Sequence, residues 1–394
     1  MRILQVISSY PPAYSYGGAL KVAHGLSKQL VSDGHEVSVF TTDVYDATSR
    51  LHYISNPEII DGIKVFRFRN ISNDLARRNI PFAPSMFLAL KKEIKKCDII
   101  HLHEYRSFHA VMVRHFAERY RVPYILQAHG SVLPFLEKHQ LKQAFDMHWG
   151  NQILTGADRV VAVSGNELQQ YIAMGIREDK VAVIPNGIDI GEFTTLPEKG
   201  LFRKKYSLPS EDRIVLYLGR IHRSKGIDFL IDAVAPIIRT NRRIKLVIVG
   251  SDEGYLEDLI NQIDSLKIRE NVIITGPLYQ GEKLEALVDA DLLVYPGPIE
   301  IFGLVPFEAI MCGTPVIVSR NCGCGELIEN AHCGYLVNYG DKDELTEKVR
   351  TVLDNPDEAA STVRAGQAYI LDQLQYPTIA HSFEELYEDC IRNV

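Results

Sequence analysis

An alternation that runs through the chain twice limits most severely how it can fold. Short apolar runs fit strands at Ile3–Ile7, Glu36–Phe40, Ile63–Phe68, Ile99–Leu102, Tyr124–Gln127, Val160–Val163 and Val181–Ile184, with helix-patterned segments between most of them. Ala19–Leu30 shows the helical spacing plainly, with Leu20, Ala23, Leu26 and Leu30 on one face. This is the pattern of a parallel sheet covered by helices on both sides. It breaks at Pro185-Asn186-Gly187-Ile188-Asp189, and residues 186–210 hold turn formers with few periodic apolar positions, so the linker is expected there. A second run follows, with strands at Ile214–Leu218, Leu246–Val249, Val272–Thr275, Asp291–Tyr295 and Val316–Val318. The expected fold class is therefore α/β, with two Rossmann-like domains, 1–188 and 189–377, whose parallel sheets face each other across a cleft. Beyond Tyr335-Leu336 the chain reads as mostly helical, and its last helix, within 378–394, is patterned from Ile379 to Ile391.

Composition serves mainly to exclude. No apolar run approaches a membrane span. The apolar start after Met1-Arg2 is too short for a signal peptide and alternates like a strand, so a cytoplasmic chain is expected. The six cysteines include Cys322-Gly323-Cys324, a C-x-C and not a zinc-type C-x-x-C, and they read as reduced, buried or loop thiols. A net charge of −7 divides into +4 over residues 1–190 and −11 over the rest, so the first half has the better face for an anionic partner. Arg77-Arg78 and the segment Phe87–Lys96 (FLALKKEIKK) read either as a solvated helix face or as a peripheral contact with the anionic inner face of a membrane.

Chemistry concentrates in Pro296–Ile328, PGPIEIFGLVPFEAIMCGTPVIVSRNCGCGELI. Glu300 and Glu308 have seven residues between them, with Phe302-Gly303-Leu304-Val305 in the interval. Pro306 suits the first turn of a helix, and Gly313 closes that helix. Glu300 then lies in a loop, Glu308 on the helix, and the backbone N–H groups of Phe302–Val305 at the helix N-terminus, where a phosphate is attracted. A carboxylate is a bidentate acceptor matched to vicinal sugar hydroxyls. One short segment thus offers a phosphate seat between two hydroxyl readers, as a nucleotide-sugar needs. Gly219-Arg220 and Lys225-Gly226 follow the first strand of the second half, placing two cations at a strand's carboxyl end. Fixed cations there stabilise the charge that builds on a departing diphosphate. His129-Gly130 follows the Tyr124–Gln127 strand in the same way, and His101-Leu102-His103-Glu104 ends a neighbouring strand, where it either lines an acceptor site or orients His129. Gly17-Gly18 is either a phosphate-facing loop or a plain strand-to-helix turn; without G-x-G-x-x-G it argues against a dehydrogenase.

The ordered string Glu300, Phe302-Gly303, Glu308, Gly313-Thr314-Pro315-Val316 and Gly323–Glu326 resembles the carboxylate signature of the retaining family-four glycosyltransferases, which have the GT-B fold. The resemblance covers nearly the whole chain and is most specific in the second half. It implies that Glu308 holds the ribose hydroxyls, that Glu300 holds hydroxyls of the donor sugar, and that Arg220 and Lys225 serve the diphosphate. It implies that His129 contacts the transferred sugar and helps stabilise the developing oxocarbenium, and that Gly17 and Gly18 face donor phosphates and acceptor. It also implies that the closing helix packs back on the first domain. Asp289-Ala290-Asp291 has the D-x-D form of metal-dependent transferases of another fold, but the family carries an Ala-Asp pair there for structural reasons, so no metal and no cofactor is expected.

The expected activity is transfer of a sugar from a UDP- or GDP-sugar to a sugar, lipid-linked or small-molecule acceptor with retention, in the synthesis of a cell-surface polysaccharide, glycolipid or other glycoconjugate. No nucleic acid is expected as a partner. Retention comes from the resemblance. A covalent double displacement needs a carboxylate beneath the anomeric carbon, and neither glutamate is assigned there; the resemblance favours same-face attack with the leaving phosphate taking the proton. Two alternatives stay open, a nucleotide-sugar epimerase or phosphorylase on this fold and a non-catalytic sugar-nucleotide-binding protein.

Overall fold

The computed structural model describes residues 1–46, 49–52, 55–77, 81–132 and 139–393. They form two compact units, the first from Met1–Gly187 with Leu374–Val394, the second from Ile188–Gln373.

The first unit is built on strands β1 (Arg2–Val6), β2 (Glu36–Thr42), β3 (Glu58–Ile60), β4 (Ile63–Phe68), β5 (Ile99–Leu102), β6 (Tyr124–Gln127), β7 (Arg159–Ala162) and β8 (Val181–Val183). Their order is β3-β4-β2-β1-β5-β6-β7-β8, parallel except for the antiparallel β3–β4 edge. The strands are apolar on both faces because both faces are covered. One face packs on helices α1 (Ala19–Ser32) and the C-terminal Tyr376–Arg392, joining Ile3, Leu26, Ile99, Phe383 and Tyr387 in one core. The opposite face packs on α2 (Ser85–Glu93) and α3 (Phe108–Tyr120), around Leu4, Leu90, Val113 and Phe116. Each fully buried side chain of this size contributes about 1.5–3 kcal/mol. Serines mark where helices start. Ser107 Oγ accepts from the Ala110 N–H at 3.1 Å, and Ser164 Oγ from the Glu167 N–H at 3.3 Å at the head of α4 (Gly165–Ala173).

The second unit contains β9 (Arg213–Leu218), β10 (Ile244–Val249), β11 (Val272–Gly276), β12 (Leu292–Tyr295), β13 (Val316–Ser319) and β14 (Tyr335–Val337), all parallel, in the order β11-β10-β9-β12-β13-β14. The helices of this unit that flank the ends of β9 and β12 are α5 (Ile227–Thr240), α6 (Gln280–Asp289), α7 (Leu304–Met311) and α8 (Gly323–Asn330); the closing helix Tyr376–Arg392 is α9. Tyr335-Leu336, read from the sequence as the end of the sheet region, are themselves a strand, the short edge β14. No helix among the described residues is long and apolar enough to cross a membrane.

Both sheets reverse strand order beside their first strand. In the first unit the chain moves outward from β1 through β2 and returns to β5 on the other side; in the second it does the same from β9 to β12. Such reversal points leave a crevice outside the strand ends where no crossover helix fills the space. Arg220 and Lys225 follow β9 and Glu300 follows β12, so they flank the reversal in the second unit.

Candidate active site

In the second unit, the chain after β9 turns through a short 3₁₀ segment, Arg223–Lys225, into α5. Gly226 makes that turn at φ +67; a Cβ there would lie 3.0 Å from the Pro296 carbonyl oxygen and 2.9 Å from the Tyr339 ring. This close approach sets the Lys225 loop directly against the loop that follows β12. Lys225 and Glu300 consequently form a mostly buried ion pair. At the end of β12, burial together with the Glu300 carboxylate pushes the Tyr295 hydroxyl well above its ordinary range.

Gly303 caps α7 at φ +69, and a Cβ there would meet the Tyr295 ring and Cys324 Sγ at 3.2 Å. The glycine lets the helix start hard against β12, with Leu304 and Val305 supplying first-turn N–H groups and Pro306 in the turn where it has none to waste. Phe302 is buried, its ring tilted on Phe307 with centroids 5.1 Å apart, which anchors the loop carrying Glu300. Glu308 lies one turn into α7, buried.

Two partners here were not foreseen. Lys283 of α6 places Nζ 2.9 Å from Glu308 Oε1 and 3.6 Å from Glu192. Arg220 donates twice to Glu253, at 3.0 and 2.7 Å. A sequence signal existed for Lys283: it shares the buried face of α6 with Ala286 and Leu287, and a lysine on such a face needs a partner. Glu253 sits in an irregular loop after β10 and carried no signal. Both carboxylates of the D-x-D sequence have structural occupations. Asp289 Oδ2 accepts from the Arg203 N–H at 2.9 Å, while Asp291 accepts at 2.8 Å from Arg203, Arg213 and the Ile214 N–H.

In the first unit, His129 follows β6 at φ +48, an unusual conformation for a residue with a side chain. The turn is held from below: Glu167 of α4 accepts from the Gly130 N–H at 2.7 Å and from the Val163 N–H at 2.9 Å. Burial raises the Glu167 carboxyl to about 7 and lowers the His129 imidazole to about 4. His103 Nδ1 lies 3.0 Å from His129 Nε2, so the His-Leu-His-Glu motif does touch His129. Glu104 turns instead to Ser8, accepting from its N–H at 3.2 Å and from its hydroxyl. Gly17, at φ +101, and Gly18 lie exposed between β1 and α1. On α2 and the turn after it, Leu88 is 71% exposed beside exposed Lys91, Lys92, Lys95 and Lys96; Arg78 lies outside the described residues.

Known proteins resemble this chain along its length. The family model for glycosyl transferases group 1 matches residues 198–369, and that for glycosyltransferase family 4 matches 16–192. An uncharacterised glycosyltransferase of Methanocaldococcus jannaschii is 30% identical over 98% of this chain and 98% of its own. A glycogen synthase of Mycobacterium tuberculosis is 28% identical over 98% of this chain and 94% of its own. Among solved structures, HepE of Anabaena in complex with UDP and glucose superposes with a TM-score of 0.76 at 22% identity, covering 99% of this chain and 100% of that one. With two parallel-sheet units, two matched models and full-length relatives, the chain belongs to the family-four glycosyltransferases and has their GT-B fold.

Proposed function

We propose that this glycosyltransferase moves a sugar from a nucleoside diphosphate donor to an acceptor hydroxyl with retention at the anomeric carbon. One observation carries the reading: Lys225 is held against Glu300 at the strand-order reversal, beside the N-terminus of α7 that presents Glu308. In this reading the first-turn N–H groups and Lys225 take the diphosphate, with Arg220 as a second cation. Glu300 then exchanges its ammonium partner for donor-sugar hydroxyls, and Glu308 accepts from the ribose diol. His129 serves the transferred sugar, and the leaving phosphate takes the acceptor's proton on the face it departs from. HepE has been seen with UDP-glucose, so UDP-glucose is the first donor to assay and GDP-sugars the second. Turnover of donor that requires an added acceptor supports a transferase; donor isomerised without acceptor would establish the epimerase reading instead.

Glu308→Gln keeps the shape of the side chain while removing the charge that accepts from the diol. Hydrogen bonds to a charged group are worth about 1.5–3 kcal/mol. UDP affinity by calorimetry should therefore fall about tenfold or more, and an unchanged affinity would remove Glu308 from ribose binding.

We also propose that turnover needs no divalent cation. The support is that Asp289 and Asp291 are engaged by Arg203, Arg213 and backbone N–H groups, while Arg220 and Lys225 supply positive charge at the strand ends. Activity should survive EDTA within about twofold. Loss that magnesium restores would overturn this.

A further inference from the structure

A line of buried polar side chains in the first unit ends at His129. Gln5 lies in β1 and His103 just past β5; both are fully buried. Gln5 Oε1 is 2.9 Å from His103 Nε2, and His103 Nδ1 is 3.0 Å from His129 Nε2. The rings of His103 and His129 are within 11° of parallel, so the bond between them runs edge to edge.

The direction of each bond follows once the Gln5 amide presents its oxygen to His103. An amide oxygen only accepts, so His103 Nε2 carries the proton. A neutral imidazole has a single N–H, so His103 Nδ1 accepts and His129 Nε2 donates to it. His129 is then left with Nδ1 as an acceptor. Proceeding from the assignment of His129 to the transferred sugar, we infer that Gln5 and His103 are positioning residues that fix this tautomer, so that His129 offers Nδ1 to a hydroxyl of that sugar.

Holding the sheet together does not account for Gln5. Its Nε2 is buried with no hydrogen-bond partner, which costs stability that an apolar residue in β1 would not. Its oxygen serves only His103. His101 stacks on His103 at 4.0 Å but directs its own Nδ1 to the Tyr387 hydroxyl at 2.8 Å, away from His129. The turn at His129 is independently fixed by Glu167 beneath Gly130. Backbone and ring orientation are thus set by different residues, as expected where one ring nitrogen must face a ligand.

The test is nitrogen NMR on the full chain labelled with ¹⁵N-histidine, with the His129 signals identified by their loss in His129→Gln. The expected result is a single tautomer with the proton on Nε2. Gln5→Leu, close in volume and suited to its strand, should fold, populate both tautomers and lower kcat about twofold or more through the smaller competent fraction. A proton on Nδ1 in the unmodified chain, or a tautomer indifferent to Gln5→Leu, would overturn the relay. Saturation with UDP-glucose, with binding verified by calorimetry, should move the Nδ1 resonance. A fixed tautomer whose Nδ1 ignores bound donor would refute the contact with the sugar and not the relay, and failure of UDP-glucose and of GDP-sugars alike to bind would refute the functional reading itself.

Discussion

Lys225→Ala is expected to lower kcat by about a hundredfold, with a smaller change in donor KM. A departing diphosphate carries more charge in the transition state than in the bound donor, so a fixed ammonium acts mainly on the barrier. A hundredfold corresponds to about 2.7 kcal/mol. The same substitution leaves Glu300 without its ammonium partner in a largely buried setting, and breaking such a pair costs about 3–5 kcal/mol. Thermal unfolding must therefore be recorded beside the kinetics. Lys225→Arg separates the two effects, because it restores a cation for Glu300 while moving the charge relative to the phosphates. Alanine slow and arginine partly recovered supports the assignment; a near-normal rate in Lys225→Ala on a folded protein removes Lys225 from the reaction.

Mild acid should unfold the first unit. Burial lowers His101 to about 3, His103 well below its ordinary 6.5, and His109 and His129 to about 4. All four are neutral in the folded state, whereas in the unfolded chain each takes up a proton below pH 6.5. Stability from these groups is present above 6.5 and is lost as pH falls toward the folded values. Each contributes about 1.4 kcal/mol per pH unit, so together they remove about 5 kcal/mol per unit once the unfolded chain is protonated. Glu167 works in the opposite sense. Its carboxyl, raised to about 7, gains a proton more readily folded than unfolded, so it adds stability as pH falls from 7 toward the ordinary carboxylate value. Burial raises Glu104 and Asp158 in the same sense, and three carboxyls against four imidazoles still leave a net loss, in a protein whose total margin is of the order of 5–15 kcal/mol. Melting temperature should drop steeply between pH 6.5 and 5, and less steeply in His109→Phe. A flat profile over that range would show that these histidines are not held neutral.

How much of this was legible in the sequence depends on how far apart the interacting residues lie. β9, β12 and β13 are buried on both faces, so their apolar runs announce them, as does the loop and helix that carry Glu300 and Glu308. The missed strands, β3 and β14, are three-residue edges too short to show a period. The partners were invisible for a different reason. Lys225 meets Glu300 across 75 positions, Arg220 meets Glu253 across 33, and His103 meets Gln5 across 98. Such pairs are created by strand order, which no local pattern encodes. The motif His-Leu-His-Glu shows the limit well: two roles were open from spacing alone, and the register of β5 beside β6 sends His103 to His129 while Glu104 turns to Ser8.

The last helix, α9, supplies Tyr376, Ile379, Phe383 and Tyr387 to a core that begins at Ile3. On the ribosome, that core stays unfinished until α9 has emerged, whereas residues 188–373 emerge as an uninterrupted stretch with all six of their strands. The order of maturation is thereby inverted with respect to translation: residues 188–373 can settle first, and residues 1–187, made before them, must wait for 374–394.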